Sequence, residues 1–211
     1  MDKYYVPEDI EKRSLAIIES LLPPLPYSLE ECEVVKRMVH AAGDPEIAHL
    51  VRIHPQAISA ALSAIYDGRP IFTDVEMVAS GINRRMAQEF GCSIHCALNE
   101  PEVIAKSQEE NITRAAVAIR YLGTKLNGAI VVIGNAPTAL FTLLELMDGG
   151  ILPALTLGMP VGFVGAEESK AELIKRNIPY ITVEGTRGGS TLGVAAMNAL
   201  LKLAEAGREK S

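Results

Sequence analysis

From Ile71 onward, short apolar segments alternate with segments of helical pattern, and this alternation constrains the fold more than any other feature of the chain. Each intervening segment is long enough for a crossover helix. Strands that alternate with helices form βαβ units, in which the strands are parallel and helices cover both faces of the sheet. We therefore predict an α/β fold of three αβα layers, with a mainly parallel central sheet of about five strands at Ile71–Thr73, Cys92–Leu98, Ala129–Ile133, Val161–Val164 and Tyr180–Val183.

The N-terminal third is predicted to be a helical segment. Pro7 suits the first position of a helix, which the prolines within residues 23–26 end. Ser28 is followed three positions later by a glutamate, and this capping-box pattern predicts a second helix. That helix extends to Ala42, with Gly43 as its C-terminal stop.

The composition limits both the core and the partners. Of the 211 residues 48% are hydrophobic but only 5% are aromatic, and tryptophan is absent, so aliphatic side chains and methionine must build the core. The length fits a single domain over residues 1–211. The formal net charge of −6 argues against a surface that attracts nucleic acid or an anionic membrane, because phosphate groups require a positive field.

The expected location is the cytoplasm. The three cysteines, Cys32, Cys92 and Cys96, are odd in number, and the N-terminus has no signal-peptide pattern, so disulfides are not expected. Two uncharged stretches, Leu126–Leu144 and Gly149–Ala166, approach the length of a membrane span. Both contain prolines and glycines that suit turns between buried elements, so no membrane span is predicted.

Three segments are expected to line one cleft, because ligands of such sheets bind beyond the carboxyl ends of the strands. They are Thr73–Gly81, Gly134–Thr138 and Thr186–Thr191. The last two open helices, but neither matches a dinucleotide or nucleoside-triphosphate motif. Arg187 flanks two glycines in the third segment, which favours anion binding slightly over a tight connection that glycine alone would explain.

His40 lies on the polar face of the second helix, one turn after Arg37. The spacing alone favours a solvated surface histidine. The adjacent arginine also allows a site in which one residue holds an anion and the other transfers a proton. The helical pattern does not decide between these alternatives.

Arg114 begins another helical segment, which Asn111 or Thr113 caps. An arginine in a first turn opposes the helix dipole unless an anion lies nearby. A bound carboxylate and an ion pair with Glu109 or Glu110 explain it equally well.

Two other clusters invite a site but have simpler explanations. In a strand, Cys92 and Cys96 share one face while His95 points to the other, so core thiols are favoured over a metal site. Asp74 and Glu76 form either a carboxylate pair or, equally well, caps and turns.

Six segments in order along the chain closely resemble the precorrin-8X methylmutase family, also called cobalt-precorrin-8 methylmutases. The resemblance covers essentially the whole chain. The segments are RMVHAAGD at 37–44, DVEMV at 74–78 with Gly81-Ile82, NITR at 111–114, VIGNAPTALF at 132–141, GMPVGFVGAEESK at 158–170 and Arg187 to Ser190.

The resemblance implies an isomerase of cobalamin biosynthesis that moves a methyl group from C11 to C12 of a corrin-type ring, giving hydrogenobyrinate or cobyrinate. It implies no cofactor and no protein-bound metal, since any cobalt belongs to the substrate, and it implies a homodimer. By position it assigns acid/base catalysis to His40 and contacts with the polycarboxylate substrate to Ser14, Arg37, Arg114 and Arg187.

Two other functions remain open at this point. A non-catalytic tetrapyrrole carrier would need the anion-binding residues but not His40. A nucleotide-binding regulatory domain of general α/β type would prefer nucleotides to corrinoids.

Overall fold

The computed structural model describes residues 7–208, with side chains described from Ile10 onward. The helices in order are α1 (Pro7–Leu21), α2 (Leu29–Ala42), α3 (Ile47–Leu50), α4 (Ala57–Tyr66), α5 (Glu76–Gly81), α6 (Arg84–Glu89), α7 (Pro101–Glu110), α8 (Arg114–Leu122), α9 (Pro137–Asp148), α10 (Ala166–Ile174) and α11 (Ser190–Arg208). The strands are β1 (Val51–Ile53), β2 (Ile71–Thr73), β3 (Ile94–Cys96), β4 (Ile130–Ile133), β5 (Leu155–Gly158) and β6 (Tyr180–Val183). A 3₁₀ turn, Gly123–Leu126, follows α8.

The strands form one sheet in the order β1-β6-β5-β4-β2-β3, in which every pairing is parallel except that of β1 with β6. Side chains of β4 alternate between two hydrophobic clusters. Ile130 and Val132 pack with α2, α4 and α11, whereas Val131 and Ile133 pack with α8 and α9. The predicted three-layer αβα fold with a mainly parallel sheet is therefore confirmed, with six strands where about five were predicted.

The predicted strand at Val161–Val164 is wrong. This segment is a loop after β5, in which Gly162 and Gly165 have φ angles of 142° and 76° and Phe163 is 93% exposed. The strand itself comes earlier, at Leu155–Gly158, inside an apolar stretch that has no polar boundary to mark it. The edge strand β1, in which three residues pair with β6, was not predicted.

The predicted helix ends are confirmed. Ser28 forms a capping box at α2, and Gly43 ends that helix in the left-handed conformation with φ of 64°. Thr113 caps α8, while the alternative candidate, Asn111, ends α7 with φ of 53°. Each residue supplies or accepts the hydrogen bonds that the helix end leaves free. Over residues 7–208, no helix is both long and apolar enough to cross a membrane.

Asp74 joins the loops at the carboxyl ends of β2 and β4. Its fully buried carboxylate accepts hydrogen bonds from the backbone N–H groups of Gly134 (2.9 Å), Asn135 (2.9 Å) and Ala136 (2.8 Å). Burial raises the pKa of this carboxyl group, and the three donors oppose that effect. Asp74 thus caps a loop and forms no pair with the exposed Glu76.

The loop that Asp74 holds also touches the start of α11. A Cβ atom at Gly134 would lie 2.5 Å from Val78 Cγ2 and 2.9 Å from Ser190 Cα, so only glycine fits there. The three segments predicted to meet at the carboxyl edge therefore do meet, through Asp74, Gly134 and Ser190.

We expect Asp74→Asn to lower the free energy of unfolding by about 2–4 kcal/mol, because the amide loses the charge and places an NH₂ group against backbone donors. Urea denaturation measures this change. Asp67→Asn is the control, since Asp67 is exposed and its nearest cation, Arg69, is 3.7 Å away. Equal stability of the two variants would contradict the role of Asp74 as the cap of this loop.

Candidate active site

A cavity of about 280 Å³ lies between α2, α11 and the turn that joins α5 to α6. Its apolar lining comes from Ala41, Met86, Ala195 and Ala199, and its polar lining from Arg37, His40, Asn83, Asn198 and Lys202. The helices α2 and α11 pack along one another, and this packing forms the long side of the cavity. The arrangement offers an apolar surface with cations and amides around it.

His40 and Arg37, which the sequence placed on one helical face, both line this cavity. His40 is in the last turn of α2 and is exposed, and its ring makes no hydrogen bond to the side chains described from Ile10 to Arg208. The opposite face of α2 is anchored in the core by Val35 and Val39. His40 therefore presents an exposed ring to the cavity.

Glu11 of α1 holds two cations at the cavity. Its Oε1 atom accepts from Arg37 Nη1 and from Lys202 Nζ, the latter at 3.0 Å. Hydrogen bonds from these two cations lower the pKa of Glu11 to about 2. Glu11 therefore carries its charge at any physiological pH.

A pair of asparagines fixes the third wall. Asn198 Oδ1 accepts from the backbone N–H of Asn83 (2.8 Å), and Asn198 Nδ2 donates to the carbonyl of Gly81 (3.0 Å). Asn83 in turn caps α6 by accepting from the N–H of Met86 (3.1 Å). These bonds tie the turn between α5 and α6 to α11.

Sequence reasoning missed Asn83, Asn198 and Lys202. Asn198 and Lys202 are four residues apart on α11 and share one face with Ala195 and Ala199. A polar and small-residue stripe on an otherwise apolar helix is the signal that could have indicated the cavity wall.

The remaining predicted site residues do not line the cavity. Ser14 is half-buried on α1. Arg187 forms an ion pair with Asp44 (2.6 Å), which follows the end of α2, so it lies beyond the same end of that helix as His40. Arg114 lies on the opposite helical layer, with Nη1 3.5 Å from Asn99 Oδ1.

Of the two explanations for Arg114, the ion pair with Glu109 or Glu110 is not observed. Glu110 pairs with Arg120 at 2.8 Å, and Arg114 has no carboxylate partner among the side chains described from Ile10 onward. Its guanidinium is exposed at the carboxyl edge of the sheet, close to the loop that opens α9, because Thr113 and Thr138 share a hydrogen bond of 2.6 Å.

Lys170, to which no role was assigned from the sequence, supports the Arg187 loop. Its side chain is fully buried, and its Nζ atom donates to the backbone carbonyl of Arg187. The same loop is fixed by the N–H of Gly189, which donates to the carbonyl of Met159 at 2.7 Å. Burial lowers the pKa of Lys170 to about 8.

The cysteines behave as packing residues. Cys92 is buried and its thiol donates to the carbonyl of Ile65, and burial raises its pKa to about 11. Cys96 is half-buried, and the exposed His95 pairs with Ser93. Across the described chain, no three His, Cys, Asp or Glu side chains group as metal ligands would.

The model of one family, described as precorrin-8X methylmutase, matches residues 9–203. The chain belongs to this family. It is therefore a methylmutase, an isomerase that shifts a methyl group in cobalamin biosynthesis, and the carrier alternative is not favoured.

Individual members of the methylmutase family match this chain over nearly its full length. The chain is 42% identical to a cobalt-precorrin-8 methylmutase of Leptospira interrogans, over 92% of this chain and 93% of the relative. It is 45% identical to a precorrin-8X methylmutase of Pseudomonas aeruginosa, over 90% and 93%. A crystal structure of precorrin-8X methylmutase from Thermus thermophilus superposes with a TM-score of 0.87 at 42% identity, covering 94% of this chain and 98% of that one.

Lys170→Met is expected to change how the stability of this methylmutase depends on pH. The pKa of Lys170 is lowered on folding from 10.5 to about 8, so between these values the unfolded chain binds more protons than the folded one. The contribution of Lys170 to stability therefore rises with pH through this window. The unfolding free energy of wild type minus that of Lys170→Met should increase by about 3 kcal/mol from the bottom to the top of this pH window.

Urea denaturation at several alkaline pH values measures this difference. Lys175→Met, at an exposed lysine that follows the same helix, is the control and should follow the wild-type profile. A constant difference between wild type and Lys170→Met would contradict a desolvated amine at this position.

Proposed function

We propose that the chain moves the methyl group from C11 to C12 of precorrin-8X or cobalt-precorrin-8, with His40 as the acid/base residue, giving hydrogenobyrinate or cobyrinate. The observation that carries this proposal is that His40 and Arg37 line one partly apolar cavity in a chain of the methylmutase family. We assign the activity to one domain over residues 1–211.

The proposed chemistry is a proton transfer that relocates the double bonds of the ring. His40 donates a proton to the macrocycle, the methyl group migrates while the conjugation is interrupted, and His40 takes a proton back. Substrate and product are isomers, so no atom or electron is gained or lost. A histidine ring without an internal hydrogen-bond partner suits this exchange, because nothing in the described chain competes for its nitrogens.

Binding in this proposal combines apolar and ionic contacts. The alanines and Met86 pack against the flat ring, and Arg37 binds one of its carboxylates. Arg187 lies in the loop before α11 and pairs with Asp44, which follows α2. It would bind a second carboxylate after releasing Asp44. For Ser14 and Arg114 the support is the family resemblance alone.

The remaining parts of the proposal concern the surroundings of the reaction. We propose that no separate cofactor takes part, that any cobalt belongs to the substrate, and that the protein acts in the cytoplasm. The only proposed small-molecule partner is the corrinoid polycarboxylate. The negative net charge is consistent with a protein that binds neither nucleic acid nor membrane.

His40→Ala is expected to lower the turnover of precursor by at least about 100-fold, because proton transfer by a positioned residue contributes on that order. Binding of the corrinoid product should change little. The colour change of the ring reports turnover, and a spectral titration reports binding. His49→Ala, at an exposed histidine of α3, is the control and should retain activity. Unchanged turnover in His40→Ala would overturn the assignment.

We also expect a homodimer, for which the support is the family resemblance. Sedimentation equilibrium at micromolar concentration should give twice the monomer mass of 22.7 kDa. A single species at the monomer mass would contradict it.

A further inference from the structure

Two cations at the rim of the cavity depend on one carboxylate. Arg37 lies on α2 and Lys202 on α11, and both contact the same oxygen, Oε1 of Glu11. The three side chains are 24%, 47% and 41% exposed in that order, so the cluster lies at the mouth of the cavity and in reach of solvent. Arg37 and Lys202 also line that cavity together with His40.

The charges of this cluster suit a carboxylate ligand. Two like charges that share one oxygen repel each other unless an anion lies between them. Within this cluster of three described side chains, Glu11 supplies one negative charge against two positive ones. Glu11 also comes from a different helix, α1, and can leave without moving the two helices that form the cavity wall.

We propose that Arg37 and Lys202 together form a binding subsite for a substrate carboxylate, and that Glu11 occupies this subsite in the unliganded protein. Glu11 is then an internal competitor that the substrate displaces. This inference rests on the proposed function for its ligand, a corrin-type polycarboxylate. It adds Lys202 to the residues that bind the substrate and gives Glu11 a role in setting affinity.

The internal competitor lowers the observed affinity, because substrate binding must first break the contacts of Glu11. Removing the charge of Glu11 therefore strengthens binding, and removing the charge of Lys202 weakens it. A purely structural Glu11, which only fastens α1 to the core, has the opposite effect on binding or none. The sign of the change separates the two roles.

The chain offers a matched control for Glu11. Glu19 is also on α1 and also pairs with a cation of α2, Lys36, at 3.1 Å. Neither residue of that pair lines the cavity. Glu19→Gln therefore removes a similar tie between the two helices without touching the proposed subsite.

The experiment is a spectral titration of wild type, Glu11→Gln, Glu19→Gln and Lys202→Met with cobyrinic acid. Glu11→Gln is expected to bind about threefold to tenfold more tightly than wild type, and Lys202→Met about fivefold more weakly, as for exposed ion pairs. Glu19→Gln should match wild type. Glu11→Gln binding equally or more weakly would overturn the inference, and circular dichroism establishes that each variant is folded.

A second probe separates this inference from the proposed function. Citrate is a plain tricarboxylate without a ring, and its stabilisation of each variant against heat is measured in the same series. If wild type binds no corrinoid while citrate still stabilises Glu11→Gln more than wild type, the proposed function fails and the subsite stands. If corrinoid binds but neither probe distinguishes Glu11→Gln from Glu19→Gln, the subsite fails and the proposed function stands.

Discussion

The hydrogen bonds that the buried carboxyl group of Asp74 accepts are the interaction on which the carboxyl edge of the sheet depends. This one carboxyl group accepts hydrogen bonds from three backbone N–H groups of the loop after β4, and it satisfies the donor of Gly134, which is buried. The loop then brings Gly134 against the first residue of α11. Because α11 packs along α2, the position of the cavity wall follows from that contact at the edge of the sheet.

Local signals in the sequence account for most of the fold. Helix ends were predictable because their signals act over a few residues. Ser28 and Thr113 accept hydrogen bonds from free N–H groups at the start of a helix, and Gly43 ends a helix in the left-handed conformation. The strand β5 was misplaced because its neighbours are equally apolar, and a fully buried strand has no polar face to set its limits. The loop that was mistaken for it owes its shape to glycines with positive φ.

The site was only half predictable, for a physical reason. His40 and Arg37 are one turn apart on a single helix, so periodicity brings them together before any tertiary structure is known. Lys202, Asn198 and Asn83 join them through the packing of α11 against α2 and α6, and the stripe on α11 does not specify which helices it packs against. The same holds for Lys170, whose partner is a backbone carbonyl and leaves no trace in the sequence.

Among the described side chains, the helix α1 has fewer buried residues than α2 or α11, the two helices that form the long side of the cavity. Among its described side chains, residues 10–21, only Ile18 is buried, while Ile17 and Leu21 are each 59% exposed. Ion pairs of Glu11 and Glu19 connect α1 to α2 and α11. Segments with so little buried apolar surface detach at a small fraction of the global unfolding free energy. The cavity proposed to bind the substrate therefore lies where a well-packed core meets a helix whose amide hydrogens we expect to exchange early, and we expect added salt to weaken the ion pairs at that boundary first.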